Sequence, residues 1–377
     1  MQPLDGIRVV DFTTLLPGPL ATLMLVRAGA EVIKIERPLH GDEMRQYQPR
    51  FGNTSSSFAL LNEGKRSIAI DLKDDESKQE LVKLIATADI VIEQFRPGVM
   101  KRMGLDYATL SESHPQLIYV SITGYGQSGP NANEAGHDLN YMAASGLLDL
   151  VCDEQGKPGL PPVLAADIAG GSYPAAMNIL LALRQRDNEG TGCHIDISMT
   201  DNLFPLCFWA WGQGLAVGDW PQRGDERLTG GSPRYQIYKT KDNRYLAAAP
   251  LEQRFWEIFC ELIQLPNELR NDSDKPHDVI RTVQKIIVKK TGSEWEKVFS
   301  GHDVCCNIVL TMKEAVQSQH ISAGKIFSRH IENEQGKSLA AVPVPVEVGF
   351  QLNNVCPQSY PSLGEANEEF GFERIED

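Results

Sequence analysis

Apolar positions along the first half of the chain repeat with two periods in turn, and that alternation predicts the architecture. Short apolar runs at residues 7–11, 31–36, 67–72, 89–93, 117–123 and 194–198 have the length and composition of buried strands. Between them, residues 20–27, 74–88, 140–150, 173–186 and 200–217 carry helical spacing, with Gly29 stopping the first of these helices. Pro17-Gly18-Pro19 breaks the chain after the first strand. Strand and helix in alternation predict an α/β fold with a Rossmann-like parallel sheet as a large domain over residues 1–217.

The pattern changes after that. Residues 218–233 hold four Gly and two Pro and read as a linker. Residues 235–240 and 244–249, joined across Lys241-Asp242-Asn243, read as a β-hairpin, followed by helical spacing at 255–263, 277–290 and 293–300. These define a smaller α+β domain over residues 234–330. The tail, 331–377, with 342–348 extended and 363–370 helical, is too short to fold alone and is expected to dock on the large domain.

Composition removes several function classes. The 377 residues are enough for a sizeable core without disulfides, and the seven Cys follow neither a paired framework nor a zinc spacing, so no metal is expected and a reducing compartment fits. A net charge of −14 disfavours nucleic acid or an anionic membrane as partner. The first residues lack a signal-peptide pattern, no window reaches eighteen apolar residues, and Arg374-Ile375-Glu376-Asp377 is no peroxisomal tripeptide; a cytoplasmic protein is expected. The first strand is not followed by Gly-x-Gly-x-x-Gly, which takes away the main support for a nicotinamide or flavin.

A few polar residues stand in positions suited to chemistry. His137, within Gly136-His137-Asp138-Leu139-Asn140-Tyr141, sits where a loop meets a helix start; it is either a functional imidazole or a packing residue beside the cap Asp138. Asp167 lies in the apolar stretch Ala165-Ala166-Asp167-Ile168-Ala169-Gly170-Gly171 and is either a cap or a carboxylate held at raised pKa for proton transfer or attack. Glu252 precedes another predicted helix. Arg37, Lys73, Arg96, Lys101 and Arg102 follow strand ends, where ligands of open parallel sheets bind, and can be read either as phosphate contacts or as solvated charges.

Taken together, these segments resemble the family III CoA-transferase superfamily and, within it, the α-methylacyl-CoA racemases. The resemblance is carried by Leu4-Asp5-Gly6-Ile7-Arg8-Val9-Val10-Asp11, Pro17-Gly18-Pro19, residues 29–36, Phe95-Arg96-Pro97-Gly98, residues 124–130, Gly230-Gly231-Ser232-Pro233 and Leu251-Glu252-Gln253-Arg254-Phe255. It weakens between residues 265 and 345. Residues 136–141 look like the racemase form of that loop. The resemblance implies a catalytic set of His137, Asp167 and Glu252. It also implies CoA contacts from Arg37, Ile70, Asp71, Leu72, Lys73, Gln94, Phe95, Arg96, Arg102, Gly136, His137, Asp138, Leu139, Asn140 and Tyr141. It further implies an acyl-CoA substrate, no separate cofactor and an interlocked homodimer.

Inverting a carbon next to a thioester carbonyl needs a base on one face and an acid on the other. By the resemblance, His137 would serve the S substrate and Asp167 the R substrate, with backbone N–H groups after Gly136 or Gly170 facing the enolate oxygen. Racemisation is therefore the first expectation. The alternative is CoA transfer between carboxylic acids, with Asp167 as nucleophile.

Overall fold

A computed structural model describes residues 2–153, 155–351 and 358–373. The chain divides into two compact units. The first comprises Met1–Ser145, Val163–Leu206 and Gly324–Asp377; the second comprises Gly146–Pro162 and Cys207–Ala323.

In the first unit the elements run β1 (Arg8–Asp11), α1 (Pro17–Arg27), β2 (Glu31–Glu36), a small hairpin β3 (Arg50–Phe51) and β4 (Thr54–Ser55), α2 (Ser56–Leu61), β5 (Arg66–Ala69), α3 (Asp75–Ile85) and β6 (Ile90–Glu93). They continue with α4 (Val99–Met103), α5 (Tyr107–Ser113), β7 (Ile118–Thr123), α6 (Asp138–Ala144), a π-helical stretch Ala166–Ser172, α7 (Tyr173–Glu189) and β8 (His194–Ser198). Six strands form one parallel sheet in the order β5-β2-β1-β6-β7-β8, with Val9 opposite Val32 on one side and Ile90 on the other. The chain builds outward from β1 in one direction and from β6 in the other. The strand order therefore reverses between them, and ligands of such sheets bind beyond the carboxyl ends at that point.

Parallel strands need cover on both faces, which explains their near-continuous apolar composition. On one face Val10, Ile33, Ile35, Ile68 and Val91 pack with Leu81, Leu84 and Ile85 of α3 and with Met100, Leu105 and Leu110. At roughly 1.5–3 kcal/mol for each fully buried large aliphatic side chain, this cluster is a main source of stability. Every residue of α1 is buried, and α1 packs on α7 and on the π-helical stretch.

Several elements differ from the sequence expectation. Pro17-Gly18-Pro19 opens α1 rather than preceding it, since proline at the first helical positions forfeits no hydrogen bond. The helix expected over 140–150 is α6 followed by a 3-10 turn, Leu147–Leu150, because Gly146 takes the left-handed φ of 80°. The helix expected over 200–217 begins as a 3-10 segment, Asp201–Cys207, around Pro205, and is α-helical only over α8 (Phe208–Val217). The tail forms no strand over 342–348, where Pro343 and Pro345 lack ladder donors, and has only a short 3-10 turn, Glu368–Phe370, in place of a helix. Asn367 caps the sheet's edge: its side chain accepts from Ala69 N–H at 2.9 Å and donates to Ala69 C=O at 3.0 Å, which satisfies groups on the otherwise open strand β5.

The second unit contains α8, then an antiparallel sheet of β9 (Gln236–Lys239), β10 (Tyr245–Ala248) and a third strand, β11 (Cys306–Ile308), that the periodicity did not suggest. Helices α9 (Gln253–Leu262), α10 (Pro276–Ile287) and α11 (Gly292–Phe299) pack on it around Trp256, Phe259, Trp295 and Phe299. Both buried indoles donate, to Arg270 C=O and Ile287 C=O, each at 2.8 Å. Residues 218–233, expected as a linker, lie within this unit, whose boundary falls at Cys207. Arg223 pairs with Asp149, and Gly224 N–H donates to Leu150 C=O at 3.0 Å, which binds the stretch Gly146–Pro162 to the same unit. Among the described residues no helix is long and apolar enough to cross a membrane.

Candidate functional site

Two cavities open beyond the carboxyl ends of the parallel strands. The first, about 550 Å³, is lined by residues that follow β1 (Thr14, Leu15, Pro17), β6 (Gln94, Phe95, Arg96) and β7 (Gly124), together with Gly136, His137, Asn140, Tyr141 and Asp167. The second, about 560 Å³, is lined by residues following β2 (Arg37, Pro38) and β5 (Ile70, Asp71, Leu72, Lys73), with Glu43 and Val99. Thr14 and Phe95 belong to both walls. The first cavity thus carries the titratable pair together with Arg96, and the second carries Arg37 and Lys73.

Asp167 is half-buried near the start of the π-helical stretch. Burial, reinforced by the neighbouring Asp138 and partly offset by His137, raises its pKa from the usual 3.8 to about 6. Asp138 is itself buried, and its Oδ1 accepts the N–H groups of Ala166 at 2.7 Å and Asp167 at 3.0 Å. It therefore anchors the backbone that carries Asp167 instead of bordering the cavity. His137 is the exposed N-cap of α6; its N–H donates to Asn140 Oδ1 at 3.0 Å. Tyr141 crosses back from α6 to donate to Gly136 C=O at 2.5 Å, and its hydroxyl pKa is raised to about 12 by burial and by Asp167. Gly170 has a packing reason for its identity: a Cβ there would stand 2.3 Å from Met199 C=O.

The other expected site residues are dispersed. Arg37 is exposed and reaches Glu43 at 3.5 Å, so it has a weak partner of its own at the second cavity. Gln94 accepts Gly18 N–H at 3.2 Å. Arg102, on α4, and Leu139, on α6, are exposed and border neither cavity. Glu252 is the exposed N-cap of α9 in the second unit, with no side-chain cap bond. Sequence reasoning missed Thr14, Leu15, Thr123 and Glu134 in the first cavity wall. The signal for the first two was present: Asp11 and Lys34 are charges set inside otherwise apolar strands, and both hold that loop. Among the described residues, no three His, Cys, Asp or Glu gather as a metal site, and the six described cysteines are free.

The model of CoA-transferase family III matches residues 4–367. The chain belongs to that family. Alpha-methylacyl-CoA racemase of Mus musculus is 36% identical over 323 residues, covering 84% of this chain and 80% of that protein. Succinyl-CoA:glutarate CoA-transferase of Mus musculus is 32% identical, covering 97% and 85%. The crystal structure of a CAIB/BAIF family protein from Brucella suis superimposes with a TM-score of 0.83 at 26% identity over 98% of each chain.

Proposed function

We propose that this family III protein transfers CoA between carboxylic acids, with Asp167 as nucleophile. The observation that carries the reading is a half-buried carboxyl in the wall of the first cavity, with a pKa near 6, ionised at neutral pH yet poorly solvated. Its oxygen attacks the thioester carbonyl, the C–S bond breaks, and CoA leaves as thiolate from a mixed anhydride. The thiolate then attacks the Asp167 carbonyl, releasing the first acid and leaving an aspartyl-CoA thioester. An incoming carboxylate reverses the two steps and regenerates Asp167. The nucleotide end of CoA would lie along Arg37 and Lys73. Transfer is placed ahead of the racemisation expected first from residues 136–141 because the matching family is that of CoA-transferases and a CAIB/BAIF-type structure matches over 98% of the chain, although racemases match in sequence at equal or higher identity.

Racemisation remains the second reading, favoured by one specific observation: His137 borders the same cavity as Asp167, as two-base chemistry requires. One experiment separates them. The protein is incubated in D₂O with a 2-methylacyl-CoA, with and without an acceptor acid, and quenched with hydroxylamine. Transfer predicts acceptor-dependent exchange of CoA and an Asp167 hydroxamate that Asp167→Ala abolishes, while His137→Ala retains both. α-Deuterium incorporation without acceptor, with each variant impaired in exchange from a different enantiomer and inversion lost in both, would instead establish racemisation. We also propose a homodimer; a monomeric mass in sedimentation at micromolar concentration would refute it.

A further inference from the structure

The loop between β1 and α1 is held by charges that sit almost entirely out of water. Asp11, Lys34, Asp42 and Lys65 are each at most 3% exposed. Asp11 Oδ1 accepts the Thr13 N–H at 2.8 Å, and Lys34 Nζ donates to Thr13 C=O at 2.6 Å while pairing with Asp42 at 3.0 Å. Both carboxylate oxygens of Asp42 stand 3.2 Å from the Leu15 N–H. Asp42 is fixed in turn, its own N–H donating to Glu36 Oε2 at 2.9 Å, while Arg45 clamps Glu36 at 2.7 and 2.6 Å.

Burying charges is expensive unless every one is paired, so a simple tight loop would not require them. What this arrangement achieves is visible at Leu15, whose φ is 61°. That left-handed conformation is unfavourable for a branched side chain and persists only where the surroundings enforce it. Its place matters: Leu15 lines the first cavity with Asp167 and His137, and Thr14 lies in the walls of both cavities. The far end of the loop is tied to the π-helical stretch, since the Ser172 hydroxyl donates to Pro17 C=O at 2.7 Å and lies 3.1 Å from Asp167 C=O.

We propose that Asp42 is a positioning residue: by accepting the Leu15 N–H it holds the loop in the conformation that sets Leu15 against the acyl end of the substrate and Thr14 at the boundary of the two cavities. This rests on reading the first cavity as the thioester site. Asp42 does not touch the reacting atoms in this scheme. It acts through the backbone of Leu15, with Lys34 balancing its charge.

The test compares Asp42→Ala in two backgrounds, wild type and Leu15→Gly, with Asp42→Asn as the conservative variant. Glycine adopts a positive φ without penalty, so Leu15→Gly removes the need for an enforcing carboxylate. In the wild-type background, Asp42→Ala should lower kcat by roughly tenfold or more, the scale of a lost hydrogen bond to a charged acceptor, with KM for the CoA thioester little changed. Asp42→Asn, whose amide oxygen still accepts, should keep most of the activity. In the Leu15→Gly background the loss from Asp42→Ala should shrink to about threefold or less. Amide hydrogen exchange reads the loop directly: Leu15 should lose protection in Asp42→Ala while Val9 and Ile33 in the sheet keep theirs. Equal losses of kcat in both backgrounds, or unchanged protection of Leu15, would overturn the proposal. If Asp42→Ala does not fold because Lys34 is left unpaired, the double variant Lys34→Met/Asp42→Ala, which buries no lone charge, crossed with Leu15→Gly reads the same coupling. A wild-type protein that neither transfers CoA nor exchanges the α-hydrogen refutes the proposed function instead, and the protection data still decide the role of Asp42.

Discussion

Replacing Asp167 by Asn should make the protein more stable at neutral pH while ending its activity. The native carboxyl titrates near 6 rather than 3.8, chiefly because burial penalises its charged form and Asp138 adds like charge. At about 1.36 kcal/mol per pKa unit, that displacement corresponds to about 3 kcal/mol. The sign follows from linkage. Below pH 3.8 the group is protonated in both folded and unfolded chains and costs nothing; as pH rises through about 6, the folded state has to give up a proton it holds more tightly, and that stability is lost. The Asn variant has no such loss. By thermal or chemical unfolding, Asp167→Asn should exceed wild type by up to about 3 kcal/mol at pH 7.5, a shift of several degrees in Tm, and the gap should close towards pH 4. Its hydroxylamine-trappable adduct should be absent throughout. A variant less stable than wild type at pH 7.5, or a gap that does not vary with pH, would refute the electrostatic reasoning.

Three further outcomes follow from the same geometry. Asp138→Asn keeps an oxygen for the Ala166 and Asp167 N–H groups but removes the neighbouring charge, so the acid limb of the kcat/KM profile should move below its wild-type position near pH 6; an unmoved limb would show that burial alone sets it. Arg37→Ala and Lys73→Ala should each weaken binding of free CoA by roughly 1–3 kcal/mol, with a reduced salt dependence in titration calorimetry, because both border the second cavity; wild-type isotherms would remove that cavity as the nucleotide site. Gly170→Ala should destabilise by roughly 1–3 kcal/mol in urea unfolding, since its Cβ would overlap Met199 C=O; a neutral substitution would mean that the two backbones separate freely.

The local elements were largely legible in the residues because their signals are local. Strands at Glu31–Glu36 and His194–Ser198 have the predicted bounds: the first is a largely apolar run buried inside the sheet, while the second, at the sheet's edge, alternates Ile195 and Ile197 with polar residues. The misplaced boundaries fall where single backbone conformations intervene, at Gly146, at Pro205 and at the prolines opening α1. His137, Asp167 and the strand-end cations were visible as residue types in suitable places, and the motifs from Leu4 to Phe255 marked the family. Tertiary structure decided what those residues face. It put Arg96 in one cavity with the titratable pair and Arg37 and Lys73 in another, put Asp138 under the backbone of Asp167 rather than in the wall, and left Arg102 outside both. It also raised the Asp167 pKa, because burial and a carboxylate 29 residues away act through space and not along the chain. The charges of Asp11, Lys34 and Asp42 could be read as letters, but their pairing across three separate segments, and the left-handed Leu15 they enforce, exist only once the sheet has brought those segments together.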